Sequence, residues 1–276
     1  MAEAMEDGDK YLTLGEIQDE LLSMLKVAGR WFRERGIRYS LSDGSLLGAV
    51  RHKGFVPWDD DLDIYMPRPD YEKWLGLADE FKAGTGLGIS SFRNGTYHYP
   101  FSKMTNPSIR AQEVSVEGSY EGYLWIDVFP VDGVPDDDAE YARLLRYRHL
   151  RFKLTNLALT KGSKNKAKAA FKAVAQPVFR LLVDPVELAS QVDERCRRIS
   201  FETANRVACP VYGFTFKGKS IPREGFEKTV MMPFGDTDQP CMSCWDEYLT
   251  KSYGDYMKLP PEEKRWHHPQ KTWRVK

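Results

Sequence analysis

The chain has 276 residues, 42% of them hydrophobic and 13% aromatic, which supplies the core of a folded globular protein and excludes both a stapled mini-protein and a disordered chain. Forty basic and 40 acidic side chains cancel to a formal net charge of zero, so no whole-molecule field favours nucleic acid and none is expected as a partner. Four cysteines are too sparse for a disulfide framework and suit a reducing compartment.

The first ten residues are acidic and small, without the basic start and apolar run of a secretory signal. Residues 169–183, the most apolar stretch, are broken by Lys172, Gln176, Pro177 and Arg180 and cannot span a bilayer. A cytoplasmic protein is expected.

In chain order, Thr13 followed by Glu16 makes a capping box, and Ile17, Leu21, Leu22 and Leu25 predict an amphipathic helix that Gly36 stops. Residues 37–41 alternate as a half-buried strand, and Asp43-Gly44-Ser45 turns the chain into a short helix over 46–52. Residues 61–66 alternate carboxylate and apolar side chains, which predicts a strand ended by Pro67; Pro69 then opens a helix to about Lys82. Strands are predicted over 87–92, 97–104, 108–114 and 125–131, between Gly, Asn and Pro turns. From 138 to about 205 the pattern is helical, with helices around Tyr141, over 169–183 and over 186–204. Strand-like pieces return at 207–216 and 229–233, and 245–253 forms a closing helix ended by Gly254. The predicted class is α/β (α+β), a mixed sheet with an inserted helical block and no internal repeat.

The acidic run is the strongest chemical signal. In a strand, Asp59, Asp61 and Asp63 would aim three carboxylates one way while Leu62 and Ile64 point inward. Such a face calls for a divalent, oxygen-seeking cation such as Mg²⁺, or Mn²⁺ in its place, with one or two carboxylates and substrate phosphates as ligands. Upstream, Gly44 lets backbone approach a ligand, and the helix opening at Ser45 points free N–H groups at an anion, with Arg51 adding positive charge. A Gly-Ser turn followed by a carboxylate strand predicts a phosphoryl-transfer site. Asp127 stands between Trp125-Ile126 and Val128-Phe129, where an unpaired charge is costly without a cation; it is also placed to accept a proton from an attacking hydroxyl. Cys241 and Cys244 have zinc-knuckle spacing but no evident pair of further ligands, and His267 and His268 are at most phosphate contacts.

Residues 139–183 carry eleven Lys and Arg against Glu140 alone, a local charge of +10, so the remainder carries −10. Lys168, Lys172 and Arg180 accompany Phe171, Val174, Val178, Phe179, Leu181 and Leu182, a pattern that suits either a solvated helix on the core or peripheral contact with an anionic membrane.

Residues 41–66, LSDGSLLGAVRHKGFVPWDDDLDIYM, resemble the signature of the LicD (fukutin-like) phosphotransferase family. The resemblance extends to Phe101-Ser102-Lys103-Met104, to residues 125–133 (WIDVFPVDG) and to Tyr253-Gly254-Asp255-Tyr256-Met257, and so spans about residues 13–270 of a single catalytic domain running over 1–276. It implies a nucleotidyltransferase (polymerase-β-like) core over 13–134, with the basic helical block at 137–205 and strands and a closing helix at 206–276. It further implies metal coordination by Asp61 and Asp63 with support from Asp59, Asp127 as the third acid, and Gly44 and Ser45 at the nucleotide. Lys103 and Arg110 are candidates for the pyrophosphate. The implied reaction moves a phospho-alcohol from a CDP-alcohol, phosphocholine from CDP-choline foremost, onto a glycan or lipid-linked glycan with CMP leaving, at the inner face of the plasma membrane where the acceptor is lipid-linked. A choline ammonium would find aromatic faces among Trp58, Tyr97, Tyr99, Tyr120, Tyr123 and Trp125. Two alternatives stand beside it: an NTP-using nucleotidyltransferase, and a non-catalytic membrane- or glycan-binding module, which would not need Asp61, Asp63 and Asp127 together.

Overall fold

Helix α1 (Leu14–Glu34) starts where the sequence dictates. The Thr13 hydroxyl accepts from the Glu16 N–H at 3.3 Å, and the Glu16 carboxylate accepts from the Thr13 N–H at 2.7 Å. Ile17, Leu21, Leu25, Ala28 and Phe32 form its buried stripe, and Gly36 takes φ +60° just past its end. The structure, a computed structural model, describes residues 10–113, 121–159, 176–177, 179, 181–212, 220–265 and 270–275.

Strand β1 is only Ser40–Leu41. Residues 37–39 do not join the ladder as expected, because the Arg38 N–H is taken by the Asp70 carboxylate at 2.9 Å. Helix α2 runs over Asp43–His52, starting earlier than the apolar pattern predicts. Strand β2 is Asp63–Pro67, which corrects the prediction of a strand from Asp61: β1 reaches only Leu41 opposite Ile64, and β5 begins to pair at Asp63, so nothing offers Asp59–Asp61 a ladder. Those residues form a loop, fixed from α1 by the Gln18 amide donating to the Asp59 carbonyl at 2.8 Å.

The helix predicted from Pro69 is broken at Leu77 into α3 (Arg68–Gly76) and α4 (Ala78–Thr85), followed by β3 (Gly88–Ser91). The two strands predicted between 97 and 114 are one, β4 (Ser102–Glu113), which crosses Pro107 by a bulge between Asn106 and Arg110. It pairs with β5 (Glu121–Val134). Helix α5 (Asp138–Leu159) buries Tyr141, Leu144, Arg148 and Phe152, so one of its cations faces the protein. Helix α6 (Pro185–Cys196) is shorter than expected; most of the helix predicted at 169–183 lies outside the described residues. After β6 (Arg206–Ala208), β7 (Ile221–Pro222) and α7 (Arg223–Glu227), the hairpin β8 (Thr229–Phe234) and β9 (Thr237–Met242) leads into α8 (Trp245–Tyr253) and β10 (Gln270–Arg274).

The sheet order is β10-β4-β5-β2-β1-β9-β8, with β3 on the free part of the β4 edge and β6–β7 extending from β5. It is mixed: β2 lies parallel to β5 and β1 parallel to β9, while the other pairs are antiparallel. Beyond the end of the β2–β5 ladder, Arg68 is buried with two N–H groups on Asp132 at 2.6 and 2.7 Å and a third on Asp193 at 2.7 Å. This ion cluster joins α3, β5 and α6.

Candidate active site

Asp63 on β2 and Asp127 on β5 are register partners on adjacent parallel strands, and Lys103 on β4 is the antiparallel partner of Asp127. Partners share a sheet face, so the three side chains form one charged rung. Lys103 Nζ is 3.0 Å from Asp127 Oδ1, and the Trp125 indole N–H donates to Asp127 Oδ2 at 3.0 Å. The same ammonium lies 3.8 Å from the Trp125 ring centroid. The next rung along the face is aromatic: Tyr65 opposes Phe129, and Phe101 and Tyr212 pack on Phe129 at 4.6 and 4.7 Å between ring centroids.

The Gly-Ser turn is tied to this rung. The Asp63 N–H donates to Ser45 Oγ at 2.9 Å, and the Ser42 N–H donates to the Asp63 carbonyl at 3.1 Å. A side chain at position 44 would meet Asp59 Oδ2 at 2.6 Å, so glycine is what lets the Asp59 carboxylate lie against the turn. Asp43 adopts φ +47°, and Tyr248 of α8 holds it: the Asp43 N–H donates to Tyr248 Oη at 3.2 Å, and that hydroxyl donates to Asp43 Oδ1 at 2.7 Å. The loop and the strand thus bring together what the expected strand would have aligned, by a different route.

Charge is concentrated here. Burial, and then Asp61, Asp43, Asp127 and Asp59, hold the Asp63 carboxyl well above the usual range. Desolvation at its hydroxyl, on a residue that is itself 41% exposed, and the carboxylates of Asp43, Asp63, Asp59 and Asp61 push Tyr253 up, and Tyr212 is raised by burial and by Asp63, Asp43, Asp127 and Asp61. A set of oxygen donors that repel one another this strongly fits a hard divalent cation. Among the described residues no three His, Cys, Asp or Glu side chains by themselves make a metal cage; Mg²⁺ takes only one or two carboxylates and completes its shell with water and phosphate.

Other expected residues lie elsewhere. Arg51 ends α2, bonded to His52 and the Tyr256 carbonyl. Arg110 shares the Lys103 face but stacks on Tyr123, roughly 13 Å along the strand from Asp127. Cys241 is fully buried in β9, and all four cysteines are free thiols. His267, His268 and Tyr120 lie outside the described residues. Sequence reading missed Asp43, Tyr212 and Tyr248 as site residues; the acid beside the Gly-Ser turn was a visible signal for Asp43, whereas the tyrosines arrive through long-range packing.

Residues 36–153 match the family described as LicD/FKTN/FKRP, nucleotidyltransferase domain. The lipopolysaccharide cholinephosphotransferase LicD of Haemophilus influenzae is 29% identical over 272 residues, covering 96% of this chain and 99% of that protein. The chain carries a LicD-type domain over residues 36–153. The human ribitol 5-phosphate transferase FKRP is 26% identical over 95 residues, 34% of this chain and 17% of FKRP, and an uncharacterised Rickettsia prowazekii protein is 39% identical over 61 residues, 22% of this chain and 23% of that protein. The LicD-family match contains the Gly-Ser turn, the acidic loop and the whole charged rung, while Tyr212, Tyr248 and Tyr253 come from beyond it.

Proposed function

We propose that the protein is a metal-dependent phosphotransferase that moves phosphocholine from CDP-choline onto a glycan of a cell-surface polysaccharide or glycolipid, releasing CMP. The observation that carries this reading is the in-register pair Asp63–Asp127 with the Gly44–Ser45 turn pinned to Asp63. The near full-length similarity to a lipopolysaccharide cholinephosphotransferase supports the choice of group. The turn-helix and carboxylate strands are read as a nucleotidyltransferase (polymerase-β-like) core.

In this reading Asp61 and Asp63, supported by Asp59 and Asp127, hold Mg²⁺ or Mn²⁺, which when bound offsets the charge of the diphosphate. The diphosphate is placed at the start of α2 beside Gly44 and Ser45, where the helix N-terminus favours an anion. Lys103 supplies fixed positive charge at the rung and, with Trp125, sets the orientation of Asp127. Asp127 is placed to take the proton of the acceptor hydroxyl as it attacks the phosphorus bearing choline, with the bond to CMP breaking on the opposite side. The aromatic rung of Tyr65, Phe129 and Phe101, covered by Tyr212, lies beside the charged one and walls it off as packed core.

No described helix is long and apolar enough to cross a membrane. Peripheral docking through residues 139–183 belongs to the proposal, because Leu181 and Leu182 at its end are 87% and 78% exposed. The test of the activity is a donor screen following CMP release with CDP-choline, CDP-ribitol and nucleoside triphosphates, each with Mg²⁺ and a lipopolysaccharide acceptor. CMP release from CDP-choline is expected; turnover of triphosphates alone would overturn the reading.

A further inference from the structure

Arg51 and His52 close the last turn of α2, and Arg265 reaches the same place from the C-terminal segment. Trp58, the residue before Asp59, joins them: Arg265 Cζ stands 4.9 Å from its ring centroid, and His52 meets it edge-on at 6.4 Å. Arg51 donates from Nε to His52 Nε2 and from Nη1 to the Tyr256 carbonyl, both at 2.9 Å. Arg265 donates from Nε to the Pro260 carbonyl at 2.9 Å, and its carboxylate neighbour, Glu262 at 3.7 Å, is 88% exposed. Neutral acceptors therefore anchor two half-buried guanidiniums.

Three enclosed arginines elsewhere are held by carboxylates instead. Arg68 has Asp132 and Asp193, Arg93 has Glu72 and Asp193, and Arg38 has Asp70. Burial, and then the Arg265 charge, hold the Arg51 guanidinium below its ordinary range. An anion between the two would relieve that repulsion, and the planar fork of each guanidinium matches an oxyanion. The cluster abuts the carboxylate site through Trp58 and Asp59 without coinciding with it, since Arg51 lies eight residues beyond Asp43, about 12 Å along the helix axis.

We propose that Arg51 and Arg265, the latter seated on Trp58, form a second substrate subsite that binds an oxyanion, either a phosphate of the donor or a phosphate or carboxylate carried by the acceptor glycan. The role in turnover rests on the transferase reading; the binding itself does not, and the two are tested separately.

Inorganic phosphate is titrated in EDTA, where the carboxylate site repels it, and the rise in unfolding temperature is read. Wild type and Asp63→Asn should gain, and Arg51→Ala and Arg265→Ala should lose that gain; an equal gain in all four overturns the subsite, whether or not the protein turns over CDP-choline. In turnover assays with CDP-choline and a lipopolysaccharide acceptor, Arg265→Ala should raise one KM about tenfold. A rise for CDP-choline assigns the anion to the donor, a rise for lipopolysaccharide assigns it to the acceptor, and no rise in either overturns the role. Arg265→Lys, which keeps the charge without the fork, should recover part of the loss, so a folding defect in the alanine variant is distinguished from a lost contact.

Discussion

Replacing Asp63 by Asn should move stability and activity in opposite directions. Adjacent strands are about 4.8 Å apart, so the in-register carboxylates of Asp63 and Asp127, if both charged, repel by about 3 kcal/mol at an effective dielectric of about 20. Lys103, 3.0 Å from Asp127, cancels much of this, while Asp61, Asp43 and Asp59 add smaller repulsions. The net relief on removing the Asp63 charge is about 1–2 kcal/mol, or several degrees in unfolding temperature at roughly 2–4 °C per kcal/mol. The backbone bonds of residue 63 to Ser45 and Ser42 are kept. Because the folded-state pKa of Asp63 is raised, the native protein binds more protons than the unfolded chain above about pH 4, so this group lowers stability as pH rises through that window. Asp63→Asn should therefore unfold at a higher temperature than wild type in EDTA at pH 7, and the advantage should vanish near pH 4. With Mg²⁺, wild type should gain stability and the variant should not, and CMP release from CDP-choline should fall at least about a hundredfold. A variant less stable than wild type in EDTA at pH 7, or one with wild-type turnover, refutes the reasoning.

Gly44→Ala places a methyl 2.6 Å from Asp59 Oδ2, so CMP release should fall at least tenfold while circular dichroism and the unfolding temperature change little; unchanged turnover would show that Asp59 can leave the turn without consequence. Arg68→Met strands Asp132 in the interior without its cation and leaves Asp193 only Arg93, and should cost about 3–5 kcal/mol in urea unfolding, a loss under 1 kcal/mol being the contrary result. Leu181→Ser with Leu182→Ser should weaken co-sedimentation with phosphatidylglycerol vesicles at low salt, and wild-type protein that stays in the supernatant would remove the membrane proposal.

Helix α1 and the turn into α2 were readable because their determinants are local: a capping box, a helical stripe and a glycine beside a helix start. The acidic run stood out in the sequence, but its shape was not readable there. Alternation along residues 61–66, with Asp59 in phase, looks like one strand, yet a strand needs partners, and β1 and β5 supply them only from Asp63 onward. Pro107 looks like a break between two strands because the sequence cannot show that a bulge will carry the ladder past it. Strand β9, with Asp238 and Pro240 inside it, has no strand pattern at all; its position is set by β1 and β8. The same holds for the tyrosines at the site: Tyr248 is an ordinary apolar position on α8 until the fold lays it against Asp43, 205 residues earlier.

That last contact bears on how the enzyme is made. Strand β1 is completed on one side by β9, and the left-handed Asp43 is held by a hydroxyl from α8, so a nascent chain that has delivered the Gly-Ser turn, the acidic loop and the charged rung still lacks the pieces that lock them. Contacts this distant in sequence form late. During synthesis the Gly-Ser turn therefore stays unfinished until α8 has left the ribosome, and a product cut short before α8 carries every acidic residue of the proposed site yet lacks the hydroxyl that holds Asp43 in place.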